Sequence, residues 1–222
     1  MCFSERVSWL TLVIGTVVNA TAIALLQGID NVEIIIPVML IVGWQYALLM
    51  QIPDALAWRH PKATYPGKLA FGLNTTQPLV LILLVMVILC KLGKSPLRLV
   101  PSILVFGVYA VYVGRAVNQT DFHIYPPGYA SGKCLNLNYT WWRKISPVLY
   151  VLCMVLATVA IPSAPYVILT LIIYIGTAAI TKAFVNTGCN AGSLWCWSVA
   201  GAGLATALMA CIVTKSPMAG KK

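Results

Sequence analysis

Long apolar runs separated by short polar stretches dominate this chain. Seven are recognisable: Val7–Leu26, Ile34–Trp58, Leu69–Cys90, Leu97–Val117, Ile145–Ile161, Pro165–Phe184 and Leu194–Val213. Strands of a membrane barrel alternate in segments of about ten residues. These runs are instead near-continuous over about twenty residues, the length a helix needs to cross a bilayer. The pattern predicts an all-α fold, a polytopic transmembrane helical bundle of seven spans in a single domain covering residues 1–222, with its termini on opposite sides. The links Gln27–Glu33 and Pro162–Ala164 are short, so the helices they join are antiparallel neighbours. Asn118–Lys144 is the longest segment between runs, and its Tyr125-Pro126-Pro127-Gly128-Tyr129 predicts turns. Trp141-Trp142-Arg143-Lys144, directly before the fifth run, reads as an interfacial anchor.

Composition agrees. Hydrophobic residues make up 60% and charged residues 9%, with a mean hydropathy of +0.87, outside the range of soluble domains. The lipid bilayer is therefore the first partner, and the localisation is integral to a membrane. A net charge of +10 sits in loops and at span ends, with no basic run and no nucleic-acid motif, so headgroups rather than nucleic acid are its counterpart. The basic residues slightly favour a cytoplasmic N-terminal side. The sequons Asn118-Gln119-Thr120 and Asn138-Tyr139-Thr140, and a candidate disulfide between Cys134 and Cys189, point the other way.

Polar residues concentrate at one end of the predicted bundle, the end that holds the N-terminus. Asp54 is one of only five acidic residues, and it closes a membrane-length apolar run. A carboxylate at that depth is costly and is a functional-site candidate by default. Gln51, Asn74, Gln77, Asn190 and Ser193 are predicted at the same end, with Arg115 or Lys182 as counter-charge. Pro53 and Pro78 remove backbone donors there, so a kink or helix end is expected beside the polar residues. The competing reading is a set of interfacial side chains solvated by water and headgroups. Asn19, in mid-span, is expected to hydrogen-bond across helices. In the last run Ser198, Ala202, Thr206 and Ala210 recur every four residues, a stripe suited to close helix packing or a homo-oligomer.

No complete catalytic set assembles from Cys2, Ser4, Cys189, His60 and His123. Asp121-Phe122-His123 has ligand-like spacing, but with two histidines in the chain neither a metal nor another cofactor is expected. The seventh run has no lysine for a retinal Schiff base, and the motifs of hormone-type receptors and the three histidines of ceramidase-type amidases are missing. Met1-Cys2-Phe3-Ser4, Trp44-Gln45 through Leu49-Met50-Gln51, and Gly192-Ser193-Leu194-Trp195-Cys196-Trp197 are another matter. With them the chain resembles an uncharacterised family of small multi-pass membrane proteins of large DNA viruses and of algae or other protists. Leu49 departs from that pattern, standing where the family has an acidic residue beside Met50. The resemblance implies no activity; it draws attention to Cys2, Ser4, Gln51, Trp195 and Cys196. The functions that fit are a small-solute or ion transporter, channel or receptor-like binder with a polar pocket at the N-terminal end. A non-catalytic membrane scaffold comes second, and a membrane-embedded enzyme third.

Overall fold

The computed structural model describes residues 4–29, 31–125, 138–139, 141, 144–185 and 191–215. Side chains are described throughout except at 124–125, 138–139, 178–185, 191–197 and 215. Eight α-helices follow one another: α1 (Glu5–Leu26), α2 (Ile35–Leu48), α3 (Gln51–Arg59), α4 (Tyr65–Lys91), α5 (Val100–Gln119), α6 (Pro147–Val159), α7 (Ala164–Val185) and α8 (Ala191–Lys215). The fold is all-helical apart from a two-residue antiparallel pairing, Ile124 opposite Tyr139 and Tyr125 opposite Asn138, between α5 and α6.

Four helical segments are long and apolar enough to cross a membrane: Glu5–Leu26, Val32–Arg59, Tyr65–Lys91 and Pro96–Gln119. The other apolar stretches, Pro147–Val159, Ala164–Thr177 and Ser198–Thr214, are shorter over the residues described. The expected fifth span contracts most. Helix α6 has 13 residues, so at ~1.5 Å per residue it covers only about 20 Å of a ~30 Å hydrocarbon core. Ser146 enters the helix in the left-handed region (φ 55°) and Pro147 takes its first position, which fixes the start.

The expected second span is broken in two, and Pro53 supplies the reason. Proline has no N–H to donate to the carbonyl of Leu49, and its ring crowds that carbonyl. The chain tightens into i→i+3 bonds instead: Leu49 N donates to Tyr46 O (3.1 Å), Met50 N to Ala47 O (3.3 Å) and Ile52 N to Leu49 O (3.0 Å). Asp54 N donating to Met50 O then restores the α pattern. Pro53 lies in the first turn of α3, where its missing donor is tolerated. In α4, by contrast, Pro78 is inside a continuous helix. Just before it, Thr75 and Thr76 donate back to the carbonyls of Phe71 (2.7 Å) and Gly72 (2.6 Å), a habit that bends helices.

Helix α8 packs against α1, α2 and α7, while α4 packs against α2, α3 and α6, and α5 leans mainly on α6. The α2–α3 unit thus lies between the α1/α8 pair and α4. Small residues permit this: the buried face of α8 includes Ala200, Ala202, Thr206, Ala207 and Ala210, and without bulk there two membrane helices approach closely. One apolar core gathers Leu26, Ile41, Val85, Ile88, Leu89 and Ala157; a second gathers Phe71, Tyr109, Trp141, Ile145 and Tyr150. Trp141 is therefore not an interfacial anchor. It is fully buried, edge-on to Phe71 at 5.5 Å between ring centroids.

Candidate functional site

The residues expected to form one pocket fall into two neighbouring groups. The first is the α1/α3 interface. On α3, Gln51 and Asp54 are each only 2% exposed, and both side chains are partnered. Asp54 lies in the first turn of its helix, where a helix dipole favours negative charge. Gly15 of α1 is level with Leu48 of α2, and Asn19 is level with Gln45. Carried one to two turns further in these antiparallel helices, that register brings the buried hydroxyl side chains of Thr11 and Ser8 alongside α3. Ser8 Oγ donates to Ser4 O (3.1 Å), whereas Thr11 Oγ1 has no hydrogen-bond partner among the described residues. Asn74 joins this group from α4, its Nδ2 donating to Met50 Sδ at 3.2 Å, next to Gln51 in the chain.

Gln77 belongs to the second group. It is 4% exposed, and its Oε1 accepts a short hydrogen bond from Tyr150 Oη on α6. Its Nε2 is buried and has no hydrogen-bond partner among the described residues. Beside it a cavity of about 30 Å³ opens between α2, α4, α6 and α7, with Trp44, Tyr46, Thr170 and Tyr174 among its walls. Trp44 Nε1 donates to Thr206 Oγ1 (3.2 Å), and Tyr46 Oη shares a 2.6 Å hydrogen bond with Thr76 Oγ1. Trp44 and Tyr174 meet edge-on at 5.6 Å.

Of the remaining candidates, Arg115 and Ser4 are described and join neither group. Arg115 is exposed on α5. Ser4 caps α1, its Oγ accepting from Val7 N at 3.2 Å. The backbones of Lys182, Ser193, Trp195 and Cys196 lie in α7 and α8 with side chains outside the described residues; Cys2, Cys134, Cys189 and Asn190 lie outside them altogether. Among the described residues no cluster of three His, Cys, Asp or Glu side chains forms. Asp121 Oδ1 accepts from His123 N (3.2 Å), a local turn, and the His60 ring stands 5.9 Å from that of Tyr65. The cavity's aromatic side is the part with the least sequence signal: Tyr46 and Tyr174 are marked only by a hydroxyl within an apolar run.

An all-helical fold with four helical segments long and apolar enough to cross a membrane fits the class of helical membrane proteins. Comparison with known proteins goes no further, since no family model, no curated protein and no solved structure matches the chain.

Proposed function

We propose that the protein moves protons or a small cation across its membrane, with the carboxylate of Asp54 as the ionisable site. The observation that carries this is the burial of Asp54: one of five acidic residues is 2% exposed, at the end of a membrane-length segment. Side chains of this kind inside membrane proteins are rare and concentrate on ion and proton pathways. The break before Pro53 adds support, because interrupted helices often carry the ion sites of transporters. Gln51 and Asn74 flank the break, and the buried hydroxyls of α1 line the opposite wall.

On this reading α6, α7 and α8 cross the bilayer beside the four longer segments, giving seven spans with termini on opposite sides, in a bundle of the multi-pass kind that the chain's sequence resembles. The test is flux into proteoliposomes under an imposed pH or cation gradient, comparing the native chain with Asp54→Asn. Flux in the native protein that disappears in a folded variant supports the reading; equal flux in both removes Asp54 from the path. A non-catalytic scaffold is the second reading, favoured by the small-residue packing of α8.

A further inference from the structure

The cavity beside Gln77 is distinct from the Asp54 group, and its chemistry is specific. Its volume, about 30 Å³, exceeds the roughly 10–15 Å³ that one water requires and suits about two. Apolar cavities of this kind stay dry; a wet one needs polar partners. This one has them. The Gln77 Nε2 donor is buried with no acceptor among the described residues, and leaving such an amide unsatisfied at membrane depth is costly. Thr170 and Tyr174, both hydroxyl-bearing, are among the lining residues, and Tyr174 also hydrogen-bonds Thr158. What enters must accept from Gln77, must be no larger than one or two heavy atoms, and must be neutral, because no cationic side chain is among the lining residues and a bare anion there would be strongly desolvated.

We infer that this cavity is a built water site, in which a buried water accepts from Gln77 Nε2 and donates to a hydroxyl of Thr170 or Tyr174. The water completes a polar link from Tyr150 on α6 through Gln77 on α4 to α7, joining three helices. The site does not depend on Asp54 or on transport.

Radiolytic labelling tests it. A brief X-ray pulse in water enriched in heavy oxygen generates hydroxyl radicals wherever water resides, and oxidised side chains report their location by mass spectrometry. Trp44 lines the cavity and is buried, so it is expected to take up label despite its depth; Met154 and Tyr174 line it too but are half-buried, which leaves Trp44 as the reporter. Cys153 is an intrinsically more reactive side chain, buried against Ser102 and not part of the lining, so it is expected to remain unlabelled. In Gln77→Leu the labelling of Trp44 should be lost. If Trp44 in the native protein is as silent as Cys153, the cavity is dry and the inference fails. Labelling that persists unchanged in Gln77→Leu overturns the role given to Gln77. Absent labelling with thermal stability that rises with chloride would assign the site to an anion instead. The native comparison decides the question even if Gln77→Leu does not fold, and no gradient is involved, so this outcome and that of the flux assay are read separately.

Discussion

The side-chain oxygen of Asn19 on α1 occupies the space that a β-carbon on Gly203 of α8 would need. Such close approach is the geometry of weak Cα–H···O contacts between packed helices, and glycine at 203 is what permits it. Gly203→Ala should force Asn19 out of its rotamer and cost about 1–3 kcal/mol, the usual range for overpacking. Gly201→Ala on the same helix meets nothing within 4 Å and should be neutral. Thermal unfolding of both variants in one detergent checks the contrast; equal melting temperatures would refute it.

Asn19 also begins a hydrogen-bonded chain. Its Nδ2 donates to Gln45 Oε1 (2.9 Å), and Gln45 Nε2 donates to Thr16 Oγ1 (3.0 Å). A double-mutant cycle with Asn19→Ala and Gln45→Ala should return a coupling of about 0.6–1.7 kcal/mol, the span measured for polar contacts within membranes. Zero coupling would mean that the two amides act independently.

The carbonyl of Phe122 sits against Gly67 so closely that any side chain at 67 would collide with it. Phe122 itself adopts φ 55°, uncommon for a bulky residue, and its ring packs edge-on to Phe71 at 5.3 Å. The obstacle is backbone, so Gly67→Ala should push the segment after α5 off the start of α4 and lower the melting temperature. Gly72→Ala, facing open space in the same helix, should be neutral or gain up to roughly 1 kcal/mol from helix propensity. A scan in which both variants melt together would exclude the latch.

Ser102 Oγ donates to Cys153 O at 3.1 Å, linking α5 to α6 where both residues are fully buried. Ser102→Ala should cost about 0.6–1.7 kcal/mol, read by denaturant unfolding of the purified protein, and Ser102→Thr should retain the bond while adding a methyl group to a tight interface. An unchanged midpoint for Ser102→Ala would show that the contact contributes nothing measurable.

Much of this architecture was legible in the order of residues. Apolar runs located the helices, Pro53 foretold a disturbance beside Asp54, and the depth of Asn19 foretold a cross-helix bond. The misreadings share one cause. A tryptophan beside lysine and arginine has the same local pattern whether it faces headgroups or a core, and only Phe71, 70 residues earlier in the chain, decides that Trp141 is buried. Likewise Gln77 was grouped with Asp54 because both lie toward one end of the bundle. Its actual partner, Tyr150, lies in a helix whose contact with α4 no local pattern encodes. The cavity was invisible for a stronger reason: it is a gap left by four helices.

The position of α8 bears on how the chain is made. This helix is synthesised after the other seven, yet it is the one that covers α1 and α2. Until it emerges from the ribosome, Trp44 Nε1 lacks its acceptor Thr206 Oγ1 and Asn19 lacks the glycine surface it packs on at Gly203, whereas the bonds from Asn19 through Gln45 to Thr16 can form without it. The packing of α1 and α2 is thus completed by a helix that lies well over a hundred residues further along the chain.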